Sequence, residues 1–204
     1  MKRSNSISLI ILISGVLLAA VLVAGCGVKP ASDGDSGTGG KASYSAAQEE
    51  RGKELIEEWK CNFCHTPEVA GPGGKAAPDP GRLLSGHPAD EKIPEMGDMI
   101  MGTAEYLEFL DNLDNTVWAS DDRLVFSANI TPDNETGIGA WTEEMFVETM
   151  REGRHMGLGR RILYPMPWRE LGELDDAELT AIYAYLRTVK PVENRVPPPV
   201  MLFR

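Results

Sequence analysis

The sequence is short of cysteine, histidine and positive charge. Its 204 residues include three cysteines, three histidines, and 20 lysines and arginines against 31 aspartates and glutamates, for a formal net charge of -11. Cys26, Cys61 and Cys64 stand in contexts so different that a disulfide framework is not the natural reading, and each needs its own explanation. The deficit of basic residues argues against a nucleic-acid partner, because that recognition depends on Lys and Arg neutralising phosphates. An acidic surface instead keeps a protein soluble and would steer it toward a basic docking patch. No internal repeat is visible. The chain does have 21 glycines and 14 prolines, which point to a loop-rich fold with few long regular elements.

One long apolar run is present. It extends from Ile7 to Ala24, broken only by Ser8, Ser14 and Gly15, and follows Lys2 and Arg3, as an export signal does. The run ends in Leu22-Val23-Ala24-Gly25-Cys26, which resembles the lipobox of bacterial lipoproteins, where cleavage precedes a cysteine that receives lipid. Residues 1–25 are therefore expected to be a signal peptide, and Cys26 the lipidated first residue of a membrane-anchored protein. An uncleaved helix is the alternative, and it would leave the rest of the chain on the same exported, periplasmic or extracytoplasmic side. Residues 26–44 are small and polar, too poor in apolar groups to fold, and read as a flexible linker.

The expected domain covers residues 45–191. Ser45 can cap a helix with Gln48 in the box position, and Gly52, Leu55, Ile56 and Trp59 then share one face leading into Cys61. From Thr66 to about Thr131 no period is sustained, so this stretch reads mainly as loop, with a short helix over Glu105–Leu113. Thr142 caps a second amphipathic segment that stops at Gly153. The last helix begins at Asp175 and Glu178, places Leu179, Ile182, Tyr183 and Leu186 on one stripe, and is over by Pro191. Residues 192–204 form a Pro-rich C-terminal tail.

Cys61-Asn62-Phe63-Cys64-His65 has the spacing of a c-type haem attachment site, in which two thiols add to the two vinyl groups of one porphyrin and the adjacent histidine reaches the iron. The export signal agrees, since such attachment follows translocation. A thioredoxin-like dithiol would need a strand-helix pattern around the motif, and a zinc site would need a second cysteine pair.

A haem iron that transfers electrons needs a sixth ligand, and a methionine thioether both closes the iron and raises its potential. Of nine methionines, Met166 is singled out because it lies between Pro165 and Pro167, where a stiff backbone presents the sulfur at small entropic cost. Met156, His155 and His87 are the other candidates. Carbonyls near Gly71 and Pro72 could accept a hydrogen bond from the other nitrogen of His65.

On these motifs the chain resembles class I cytochrome c domains, in particular those of the cytochrome subunits of membrane-bound bacterial alcohol and gluconate dehydrogenases. The matching segments are Cys61–His65, Asn129–Asp133 with Thr136–Gly139 and Trp141, and Leu163–Trp168 with Tyr183–Arg187. The resemblance implies Met166 as distal ligand, a close crossing of the first and last helices at Gly52, an Asn129 loop bordering the haem, and Arg160 or Arg161 near a propionate. Those subunits carry several haems, whereas this chain has one attachment motif and an insertion after Thr66 that they do not explain.

The expectation is thus a mainly α class I cytochrome c fold with a long loop-rich insertion, one covalent haem c, and one-electron transfer without substrate chemistry of its own. The expected partners are a dehydrogenase or quinol-oxidising complex and a terminal acceptor. The alternative is a haem enzyme or gas sensor with an open or labile sixth site.

Overall fold

A computed structural model describes residues 43–92, 103–111, 113–119 and 122–201. The signal peptide, Cys26 and most of the linker lie outside the described residues. Among the described residues no helix is long and apolar enough to cross a membrane.

Helix α1 runs over Ala46–Glu58, opened by the expected capping box: Gln48 N donates to Ser45 Oγ (3.3 Å) and Ser45 N donates to Gln48 Oε1 (3.0 Å). Helix α2, Cys61–His65, follows after a turn at Lys60. Near the other end of the chain come α4 (Glu143–Glu152), the short α5 (Trp168–Leu171) and α6 (Asp176–Leu186). Thr142 caps α4 and Gly153 ends it in the left-handed conformation, while the Asp175 side chain accepts from Glu178 N at the start of α6. All three helix starts follow from local chemistry.

The first core forms where α1 crosses α6. Leu55 and Ile56 of α1 meet Ile182, Tyr183 and Leu186 of α6 there, and Phe146 of α4 closes the layer with its ring 5.5 Å from that of Tyr183. Full burial of such side chains contributes about 1.5–3 kcal/mol each. The crossing needs Gly52, because a Cβ there would lie 1.9 Å from the Ala181 carbonyl oxygen. Polar ties frame this core: Tyr44 Oη and Thr180 Oγ1 both donate to Glu143, at 2.9 Å each.

The segment after Thr66 has more regular structure than its lack of period suggests. Strands β1 (Glu68–Ala70) and β2 (Ala76–Pro78) form an antiparallel hairpin. Helix α3 covers Ala104–Asp111, close to the expected short helix. Strands β3 (Val117–Ala119) and β4 (Arg123–Phe126) pair antiparallel, and β5 (Val200–Met201) joins the free side of β4. Phe109, Val117, Leu124 and Phe126 make a second core. Among the described residues the architecture is therefore helices with two small sheets. Strands of two to four residues are too short to show a period, and the partner that completes the second sheet lies far along the chain.

The Pro-rich tail is likewise tied down. Asn129 Nδ2 donates to the Val192 carbonyl (2.8 Å), and Asn194 Nδ2 donates to the carbonyls of Ser85 (2.7 Å) and His87 (2.8 Å). Asn194 Oδ1 in turn accepts from Ala89 N at 2.9 Å. Val196 then packs against the second core.

Candidate functional site

Lys60, with φ 53°, breaks the chain between α1 and α2 so that the five residues Cys61–His65 restart as a separate turn of helix. As a result Cys61, Cys64 and His65 all line one cleft, whose space of about 1310 Å³ is partly continuous with solvent. Its walls are mainly apolar and come from both ends of the sequence: Ile56 of α1 and Trp59 just after it, Ile182 and Leu186 from α6.

The two thiols are unpaired and partly buried. Burial pushes the Cys61 thiol up to about 11 and raises Cys64 as well. A reactive dithiol of the thioredoxin kind needs the opposite shift, toward thiolate. Among the described residues there is also no cluster of three or more His, Cys, Asp or Glu arranged to hold a metal ion.

His65 is 7% exposed, and its Nδ1 lies 2.7 Å from the Ala128 carbonyl oxygen. A carbonyl only accepts, so Nδ1 carries the proton and Nε2 keeps its lone pair. Burial lowers the pKa of this imidazole, with the Ala128 hydrogen bond opposing, so the neutral, ligating form is favoured. The acceptor is thus Ala128, where the sequence had suggested Gly71 or Pro72. Those two residues sit at the hairpin turn that begins after β1, where the Gly71 carbonyl accepts from Gly74 N.

Met166 lines the same cleft, half-buried and packed against the first core. Its loop is anchored on the end of α4. Ile162 N donates to the Gly153 carbonyl (2.8 Å), His155 N donates to that of Arg160 (2.9 Å), and Trp168 N donates to that of Met166 itself (2.9 Å). Gly153 has φ +61° and lies flat against the Trp168 ring, where a Cβ would come within 2.5 Å of three ring atoms. His155 also lines the cleft, its ring edge-on to Trp141 at 4.8 Å, and burial together with Arg160 lowers its pKa. Arg160 reaches the cleft wall and Arg161 does not.

The remaining candidates fall elsewhere. His87 is 1% exposed, its Nδ1 2.8 Å from Thr116 Oγ1, and Met156 is at the surface; neither lines the cleft. Ala128 and Ile130 border the cleft, but Asn129 between them turns away to hold the tail. Trp118, Val125 and Phe126 of the segment 66–128 line it too, and nothing in the sequence pointed to them. Paired thiols, an imidazole with its second nitrogen already engaged, a thioether and apolar walls together fit an iron porphyrin bound at its edge and at its metal.

No family model matches the chain. It is similar to one of the subunits of nicotinate dehydrogenase from Pseudomonas putida, 33% identical over 165 residues, which is 80% of this chain and 10% of that protein. In a chain of 204 residues, a match of that length must run through the segment 66–128 from whichever end it begins. It is also similar to the alcohol dehydrogenase (quinone) cytochrome c subunit of Gluconobacter oxydans, 40% identical over 76 residues, covering 36% of this chain and 16% of that protein. The fructose dehydrogenase cytochrome subunit of Gluconobacter japonicus is 36% identical over 74 residues, covering 36% and 15%. The chain thus spans a small part, between a tenth and a sixth, of the length of these relatives.

Proposed function

We propose that this chain, which over about a third of its length resembles the cytochrome c subunits of bacterial alcohol, fructose and gluconate dehydrogenases, is an exported, membrane-anchored cytochrome that carries one covalent haem c and passes single electrons. The observation that supports this reading most is the meeting of Cys61, Cys64, His65 and Met166 on one apolar cleft, with His65 Nδ1 already bonded to Ala128.

In this reading Cys61 and Cys64 would hold the haem through two thioether bonds, each formed by adding an S–H across a vinyl group, and His65 Nε2 and the Met166 sulfur would hold its iron. Arg160, at the cleft wall, would face a propionate, and the apolar side chains keep water from the metal. The bound haem supplies reversible one-electron exchange. Ala128 holds the His65 proton on Nδ1, which would keep the imidazole in one tautomer and one orientation toward the iron. Lipid on Cys26 and the linker of residues 26–44 would tether the domain to the outer side of a membrane, within reach of an electron-donating dehydrogenase or quinol-oxidising complex and a terminal acceptor.

The test is an optical and mass spectrum of protein from a host that matures c-type cytochromes. A red protein with the mass of one porphyrin added, and a near-infrared sulfur-to-iron band that Met166→Ala abolishes and His155→Ala leaves in place, is the expected result. A colourless product without the added mass would sink the proposal. Rapid carbon monoxide binding to the untreated ferrous form would favour the haem enzyme or gas sensor.

A further inference from the structure

The Ala128 carbonyl that accepts from His65 is itself held by a short piece of the inserted segment, residues 84–87. Leu84 N donates to Thr66 Oγ1 (3.0 Å) and Gly86 N donates to the His65 carbonyl (2.8 Å), which ties the piece to the residues of the thiol-imidazole motif. On its other side His87 N donates to the Ser127 carbonyl (2.9 Å), and the Leu84 carbonyl accepts from Ile130 N (3.0 Å). These bonds bracket Ala128 on both flanks. Making all of them puts Leu84 at φ 59° and Gly86 at φ +74°, both left-handed, and Leu84 is 1% exposed. A buried non-glycine residue keeps that conformation only where its surroundings over-determine it.

Gly86 occupies the tightest point. A Cβ there would lie 2.3 Å from the Ser127 carbonyl oxygen, 2.5 Å from the Ala128 carbonyl carbon and 2.6 Å from the Ala128 oxygen. All three are backbone atoms, so no side chain can swing aside to make room. Gly73, in the hairpin turn, has the same φ of +74° and nothing within 4 Å. The requirement at position 86 is therefore one of contact as well as of backbone conformation.

We infer that Gly86 is a positioning residue for the iron ligand: its bare Cα lets residues 84–87 seat the Ala128 carbonyl against His65 Nδ1, and so sets the orientation and donor strength of that imidazole. The inference rests on the haem reading. A hydrogen bond from Nδ1–H to a carbonyl makes Nε2 a stronger donor, which favours the ferric state. Displacing the carbonyl weakens that donation and favours the ferrous state.

The experiment compares full-length, haem-loaded wild type, Gly86→Ala and Gly73→Ala by redox titration and by proton NMR of the axial imidazole N–H. Gly73→Ala carries the backbone cost of a left-handed alanine without the contact, and should leave both readouts at their wild-type values. Gly86→Ala should shift the ferric-to-ferrous ratio at fixed potential about tenfold toward ferrous, a rise of about 59 mV for one electron, with faster exchange of the Nδ1 proton.

Should Gly86→Ala fail to mature, Thr66→Val removes the acceptor for Leu84 N and is expected to move both readouts in the same direction, while Thr66→Ser keeps the hydroxyl and restores them. Loaded variants whose potential and N–H exchange match Gly73→Ala would overturn the inference alone. A colourless wild type would overturn the haem reading and this inference with it.

Discussion

Around α1, α4 and α6 the surfaces that meet are large and apolar, whereas the described residues of the segment 66–128 join that body through directed hydrogen bonds as well as through the buried Leu84. In the first region Leu55, Ile56, Phe146, Ile182 and Leu186 are each no more than 4% exposed. In the second, the joints include Gly86 N to the His65 carbonyl, His65 Nδ1 to the Ala128 carbonyl, and Asn194 bridging Ser85, His87 and Ala89. Apolar contact is strong but non-directional, while hydrogen bonds fix distance and angle at smaller net energy. The helical region thus supplies much of the cleft, and the segment 66–128 supplies the carbonyl that holds the imidazole facing it.

If apolar burial dominates the helical region, its largest single loss should come there. Leu179, 0% exposed on α6, replaced by alanine should cost about 2–5 kcal/mol in chemical denaturation; a cost under 1 kcal/mol would break the contrast. Gly52→Ala tests the same region by overfilling. With the Ala181 carbonyl in its way, it should cost about 1–3 kcal/mol or more and force α1 from α6.

The hydrogen-bonded joints should respond to loss of direction. Asn129→Ala, just beyond residue 128, removes a donor to the Val192 carbonyl and the side-chain acceptor of Thr131 N, and should cost about 1–3 kcal/mol. It should also make the chain beyond residue 191 the first site of limited proteolysis, an outcome Leu179→Ala would not produce selectively.

The smallest effect concerns pH. Burial lowers the His87 pKa below the usual 6.5, so between that value and the lower folded one the unfolded chain binds a proton that the folded chain refuses. Its contribution to stability is full above about pH 6.5 and is lost as pH falls through the folded pKa, by at most about 1.4 kcal/mol per pH unit. His87→Gln should flatten the decline of stability between pH 7 and 5, read from denaturation midpoints.

The contrast also explains what could be read in advance. Ser45 with Gln48, Thr142, Asp175 and the stripe Leu179-Ile182-Tyr183-Leu186 are local signals, and the helices begin and pack where they indicate. The β3-β4-β5 sheet was not legible, because β4 spans only Arg123–Phe126 and its outer partner is Val200–Met201. The attachment of the tail was not legible because Asn194 is an ordinary polar residue until Ser85 and His87 are brought beside it. Ala128 was missed for a related reason. A backbone carbonyl has no identity in a sequence, and this one lies 63 residues from the ring it serves.

By itself the sequence determined which atoms can react and bind: two thiols and an imidazole within five residues, a methionine between prolines, and an excess of acidic residues after an apolar N-terminal run. These are properties of side-chain chemistry and spacing, and no fold is needed to state them. Only the tertiary structure decided that His65 is oriented by Ala128, that Gly86 must be bare, and that His155 reaches the cleft while His87 does not. Those choices depend on which distant backbone groups come within about 3 Å of one another, and the packing of the whole domain sets that.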